Sequence, residues 1–150
     1  MEKIINKHAT FDYEVLETYE AGLVLFGHEA KAIKNQQLNF KGSYITIKYE
    51  PKPALYLVKA HLSLYKKAGN ITGYDPERPR KLLLHKKQIT SILGKLEQKG
   101  LTIIPLSVYT KRNNIKLEFC LARGKKKFEK KEAKKKEDVM REIRRTLKYQ

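Results

Sequence analysis

The sequence predicts a mainly β fold with helices: an OB-like antiparallel barrel of six strands, two or three flanking helices and a basic C-terminal tail. Three observations lead there. Six short stretches between Tyr13 and Leu121 are rich in β-branched or aromatic residues and are separated by turn residues. One longer stretch has a clear helical period, with Ile89, Ile92, Leu93 and Leu96 at i, i+3, i+4 and i+7. The last 28 residues, Arg123 to Gln150, hold thirteen Lys or Arg against five acids and cannot build a core of their own.

In chain order, Tyr13 to Tyr19 reads as the first strand, Ala21-Gly22 as a turn and Leu23 to Phe26 as the second strand. Gly27 opens a short helix over His28 to Asn35, with Ala30 and Ile33 on one face. Ser43 to Tyr49 alternates Ile45 and Ile47 against Tyr44, Thr46 and Lys48. Glu50-Pro51-Lys52-Pro53 then turns the chain into a partner strand, Ala54 to Leu62. Ser63 to Arg80 has no period and contains Gly69, Gly73, Pro76 and Pro79, so it reads as a long loop, either functional or disordered. The amphipathic helix ends at Gly100, with Lys95 and Lys99 suited to its C-terminal dipole. Leu101 to Thr110 changes phase at Pro105, which predicts a bulge or an edge. Arg112-Asn113-Asn114 turns it into the last strand, where Ile115, Leu117, Phe119 and Leu121 alternate with Lys116, Glu118 and Cys120. These boundaries divide the chain into a body, residues 1–122, and a tail, residues 123–150.

The net charge of +17 is shared, with +8 on the tail and +9 on the body. A basic body with a more basic arm has the electrostatic footprint of a polyanion binder. Stable membrane anchoring needs a second, apolar signal. The longest apolar runs, Ala54 to Val58 and Leu23 to Phe26, are too short to span a bilayer. Nucleic acid is therefore the expected partner. The N-terminus has no apolar signal-peptide core, and the single Cys120 excludes an internal disulfide, so a cytoplasmic protein is expected.

Catalytic patterns are missing. His8, His28, His61 and His85 have no paired-ligand spacing, and no nucleophile elbow or phosphate-cradling loop occurs. Strand alternation places Glu14 and Glu20 on one face and Glu17 on the other, which argues against an acid–base pair. Neither an enzyme nor a bound cofactor is expected. The stretch Asp75 to His85 is more informative: Arg78, Arg80 and Lys81 project three cations within four residues, and Leu82-Leu83-Leu84 anchors them. Arginine's planar fork suits phosphate, so this pinned basic loop is a candidate RNA contact. In the tail, Lys127, Lys131 and Lys135 recur at four-residue spacing, as do Val139, Ile143 and Leu147. A helix there would carry a basic stripe and then an apolar one.

Six motifs in order carry a resemblance. They are N-K-H-A from Asn6, L-E-T-Y-E-A-G from Leu16, G-H-E-A-K from Gly27, S-Y at Ser43, D-P-E-R-P-R-K-L-L-L-H from Asp75 and L-A-R-G-K-K from Leu121. From Asn6 to its end the chain resembles the SsrA-binding protein family (small protein B), the bacterial partners of transfer-messenger RNA. The resemblance implies an OB-like barrel that binds the tRNA-like domain of that RNA, one copy per RNA, and delivers it to stalled ribosomes. Elongation factor Tu would join through the charged RNA. It also implies a tail that is disordered in solution and becomes helical in the empty mRNA channel near the decoding centre.

Asn6, Glu20, Leu83 and His85 match the family's RNA-binding positions. The neighbouring cations Lys7, Lys31 and Lys34 join Arg78, Arg80 and Lys81 in the expected RNA-binding set. Gly124 and Phe128-Glu129-Lys130-Lys131 match the part of the tail that acts at the decoding centre. Arg123, Lys125, Lys126, Lys127, Lys134 and Lys135 complete the ribosome-contacting set. The family usually has His or Tyr, Asp, Lys or Arg, and Arg where this chain has Phe128 to Lys131, so a guanidinium fork is lost at Lys131. Val139, Phe11, Ala30 and Ala32 stand where Trp, His, Val and Ser are common. The other reading of the residues is a ribosomal-protein-like structural RNA binder.

Overall fold

The computed structural model describes residues 1–69, 71–125 and 137–143. Among the described residues of the body, nine strands and three α-helices follow one another. β1 (Ile4–Ile5) and α1 (Ala9–Asp12) lead into β2 (Tyr13–Leu23). Then come α2 (Gly27–Lys34), β3 (Leu38–Asn39), β4 (Tyr44–Tyr49), β5 (Pro53–Val58) and β6 (His61–Leu62). β7 (Arg80–Leu83), α3 (Lys86–Leu96), β8 (Leu101–Lys111) and β9 (Asn114–Gly124) complete the body.

Seven strands form one antiparallel sheet in the order β1-β8-β9-β2-β7-β5-β4, and β3 pairs with β6. β4 and β8 are five places apart in that order yet lie against each other. The sheet must therefore curl. No ladder joins β4 to β8 among the described residues, so the expected closed barrel is a curled, incompletely bonded one.

The concave side holds the core. Leu55 and Leu57 from β5, Leu82 from β7, Val108 from β8, and Leu117 and Phe119 from β9 are almost wholly buried there. Ile33 of α2 and Ile92 of α3 close it. A second, smaller cluster lies on the other side of β9. Ala9 of α1 packs with Ile104, Cys120 and Ala122, so α1 plugs one end of the convex face. Cys120 is fully buried, and that burial pushes its thiol up to about 11. It is packing, not a reactive thiolate.

The β4–β5 and β8–β9 hairpins, α2, α3 and the break at Pro105 stand where the sequence put them, within a few residues. Arg112 and Asn113 turn β8 into β9 with φ of 51° and 65°, the double left-handed geometry of a type I′ hairpin. Three expectations fail. β2 runs unbroken through Ala21-Gly22, so there is no separate strand over Leu23 to Phe26. The six expected strands leave out β7, which begins at Arg80, where the loop expected from Ser63 ends, and bridges β2 and β5. A bulge between Val15 and Glu17 shifts the phase of β2. Glu14 and Glu17 consequently lie opposite Arg123 and Leu121, while Glu20 lies opposite Glu118 on the other face.

Candidate nucleic-acid interface

β7 alternates, with Arg80 and Leu82 inward and Lys81 and Leu83 outward. Gly22 of β2 lies opposite both Leu83 and Lys116, and Lys116 lies opposite Tyr109. Residues directly opposite in an antiparallel ladder share a face. A row Leu83–Gly22–Lys116–Tyr109 therefore crosses the convex surface, and Glu20 and Lys81 stand on the same face two residues along their strands. Gly22 supplies no side chain, and a Cβ there would come within 3.3 Å of Leu83 Cδ1. Leu83 thus lies over bare backbone and remains 57% exposed.

Glu20 is an acid in a basic surface, and its neighbours explain how it is held. The Tyr109 hydroxyl donates to Glu20 Oε2, and Lys111 Nζ donates to Oε1 at 3.3 Å. The Tyr109 bond, followed by Lys111, keeps the Glu20 carboxyl below the usual range. Burial and the bond to Glu20 push the Tyr109 hydroxyl above its ordinary value, so it stays an O–H donor at neutral pH. Lys3 Nζ stands 5.0 Å over the Tyr109 ring. The result is an ionised acceptor with free lone pairs, oriented by two donors and ringed by lysines.

The N-terminal segment borders this face. Asn6 donates its side-chain amide to Pro105 O at 2.8 Å and its backbone N–H to Leu106 O at 2.7 Å, at the β8 bulge. Asn6 is a pin as well as a surface residue, and Lys7 beside it is exposed. Asn6, Lys7 and His8 line a polar groove of about 720 Å³ together with Gln36, Lys41 and His61. Lys31 and Lys34 are exposed on α2, and His85 is exposed where α3 begins, its N–H donating to Gln88 at 3.1 Å.

Arg80 is a correction. It is 1% exposed, so its fork cannot meet phosphate in this fold. Its Nε donates to Glu29 Oε2 at 2.9 Å, Nη1 to Ala60 O at 2.9 Å, and Nη2 to the Tyr74 hydroxyl and Pro76 O, both at 3.1 Å. Arg78 donates to the other Glu29 oxygen and stacks 4.3 Å from the Phe26 ring centroid. Its side chain is 27% exposed. Glu29, at the third position of α2, also accepts the Phe26 N–H at 2.9 Å. This brace ties α2 and the Tyr74–Pro76 loop to β7. Of the three clustered cations, only Lys81 projects freely into solvent.

Comparisons with known proteins identify the family. The family model described as "SmpB protein" matches residues 3–149. The chain belongs to the SmpB family. The SsrA-binding protein of Sulfurihydrogenibium sp. (strain YO3AOP1) is 46% identical over 149 residues, 98% of this chain and 95% of that protein. That of Trichodesmium erythraeum (strain IMS101) is 42% identical, covering 98% and 94%. A solved structure described as "tmRNA-SmpB: a journey to the center of the bacterial ribosome" superposes with a TM-score of 0.67. It is 44% identical, over 85% of this chain and 87% of that one.

Of the residues that the resemblance leads us to expect at an RNA interface, Glu20 and Leu83 share the convex face, Asn6 pins its border and His85 lies two residues beyond Leu83. Sequence reasoning missed Lys3, Tyr109, Lys111 and Lys116. The two-residue period of β8 and β9 carried the signal, because Tyr109 and Lys111 alternate with the buried Val108. In the tail set, Arg123 and Gly124 belong to β9, and Lys125 is fastened by its N–H to Asp12 O at 3.0 Å and its Nζ to Thr10 O at 2.6 Å. Lys126, Lys127, Phe128, Glu129, Lys130, Lys131, Lys134 and Lys135 lie outside the described residues, so the expectation of a disordered tail falls largely there. Residues 137–143 are helical, with Val139 and Ile143 exposed and Arg141 bonded to Glu137 at 3.0 Å. Among the described residues no helix is long and apolar enough to cross a membrane, and no cluster of His, Cys, Asp and Glu could hold a metal ion.

Proposed function

We propose that this chain binds the tRNA-like domain of transfer-messenger RNA on its convex face and escorts it to stalled ribosomes. It acts there as a binding protein, not a catalyst, in the cytoplasm. The observation that carries this reading is the Glu20–Tyr109–Lys111 cluster beside the Gly22–Leu83 floor. An ionised acceptor can take base amines or 2′-hydroxyls, the bare strand lets a backbone approach, and the surrounding lysines supply phosphate contacts. The basic segment beyond Lys125 enters the empty mRNA channel near the decoding centre, and elongation factor Tu is reached through the charged RNA.

A competition assay at fixed salt tests it, pitting the tRNA-like domain against an ordinary tRNA and a random duplex. A clear preference for the first is expected. Equal binding to all three would sink this reading and favour a ribosomal-protein-like structural RNA binder.

Two substitutions probe the face. Glu20→Ala is expected to weaken binding of the tRNA-like domain about tenfold with the slope of log K against log salt unchanged, because it removes no cation. A changed slope with unchanged affinity would refute the role given to Glu20. Gly22→Val should displace Leu83 and lower RNA affinity several-fold, while thermal unfolding moves only slightly, since a β-branched residue suits the strand. Unaltered RNA affinity in that variant would remove Gly22 and Leu83 from the interface.

A further inference from the structure

Between the α1 plug and the Glu20 cluster, the convex face holds a hollow of about 260 Å³. Ile5, Val15 and Leu106 give it apolar walls, Ser107 and Glu118 line it from neighbouring strands, and Lys3 and Lys7 stand at its rim. Ser107 is 3% exposed, and its hydroxyl oxygen has no hydrogen-bond partner among the described residues. Buried polar groups are nearly always satisfied, so such an orphan calls for an explanation. Two other buried side-chain atoms, His28 Nδ1 and Arg78 Nε, are also unpartnered among the described residues. Those two belong with Phe26 and Tyr74 at the edge of the Glu29 brace. Ser107 lines an open hollow instead, opposite Glu118, which in turn lies opposite Glu20.

We propose that this hollow takes one unstacked base of the bound RNA. The ring lies between Ile5, Val15 and Leu106, its polar edge meets Ser107 and Glu118, and its phosphate is held by Lys3 or Lys7. The inference rests on the RNA-binding reading above and adds the ligand of a specific subsite. The chemistry selects a base over a phosphate, because Glu118 would repel an anion at the point where it accepts an N–H. It also selects among bases. A carboxylate is acceptor-only, so an exocyclic amine of adenine, cytosine or guanine suits it. Uracil would set carbonyl oxygens on either side of its single N–H. The volume lies just below the roughly 300–1,000 Å³ of drug-sized pockets, which leaves room for one ring system and not a stacked pair.

The test uses the full chain and the tRNA-like domain carrying an abasic nucleotide at one unpaired position at a time, with affinities measured at fixed salt. One abasic position is expected to cost the wild-type protein about tenfold, in keeping with the worth of a single base held against side chains. Ser107→Ala and Glu118→Gln should bind intact RNA about tenfold more weakly, with no fall in melting temperature for Ser107→Ala. That same abasic position should cost these variants almost nothing further. Val15→Trp, which fills the hollow from a partly exposed position, should reproduce the effect. Unchanged affinity in all three variants would overturn the proposal, as would equal abasic penalties in variant and wild type. Wild-type protein that prefers no RNA over a random duplex would overturn the RNA reading and the subsite together.

Discussion

Glu29→Ala is expected to cost about 3–5 kcal/mol of folding stability, enough to unfold much of the population of a marginally stable domain. The carboxylate is fully buried between two guanidiniums, at 2.8 Å from Arg80 and 2.5 Å from Arg78. Removing it leaves the Arg80 cation in the interior with, among the described residues, the neutral Ala60, Pro76 and Tyr74 oxygens as its acceptors. The large term is that uncompensated charge, not the net worth of the pair, which an apolar replacement of the whole cluster could match. Arg80→Lys is the sharper control. It keeps the charge, but an ammonium cannot reproduce the planar fork that reaches four acceptors, so a substantial part of the loss should remain. Chemical denaturation of the two variants checks this, and wild-type-like stability in Glu29→Ala would mean that the brace holds nothing.

The same cluster sets an acid limit. Burial alone would raise the Glu29 carboxyl, but the Arg78 bond, the Phe26 N–H and Arg80 outweigh it and leave the group below its ordinary value. A carboxyl depressed in the folded state stabilises the fold above its unfolded pKa of about 4.3, and that contribution is lost as pH falls through the folded value. Glu20 and Glu17 are depressed as well, by Tyr109 and Lys95 first. Stability should therefore fall steeply below about pH 4. Glu29→Gln should show a shallower acid limb, since one of the titrating groups is gone.

This brace was not legible in the sequence, and the reason is physical. Glu29 and Arg80 are 51 residues apart, and nothing in D-P-E-R-P-R-K distinguishes a buried guanidinium from a solvated one. Alternation would have helped only if β7 had been recognised, and a four-residue strand after a stretch with two prolines and two glycines gives no periodic signal. Gly22 misled in another way. Glycine inside a strand reads as a turn, although here it leaves space for Leu83 on its neighbour. The bulge at Val15 was equally invisible, and one extra residue reversed the side assigned to Glu14. The bulge at Pro105 could be read because the apolar phase of β8 slips there in plain view. Period and turn chemistry thus revealed the long hairpins and α3. The gathering of Glu20, Leu83 and Tyr109 on one face needed the cross-strand register, which one-dimensional pattern does not carry.

Truncation after Lys126 is expected to leave affinity for the tRNA-like domain nearly intact while abolishing peptide tagging on stalled ribosomes. The folded body supports the first half. β9 continues to Gly124, and Lys125 is tied to Asp12 and Thr10, so the cut leaves all of these contacts in place. Glu20, Leu83, Tyr109, Lys111 and Lys116 all lie within what remains. The removed segment still carries ten Lys or Arg against five acids. If those cations neutralised phosphates of the same RNA, the slope of log K against log salt would shrink by nearly one unit for each phosphate no longer neutralised. An unchanged slope therefore separates a tail that works elsewhere from a tail that adds to the RNA grip. Loss of tagging with unchanged slope and affinity assigns the body to the RNA and the basic segment to the ribosome. A parallel fall in RNA affinity and slope would merge the two into one extended RNA-binding surface.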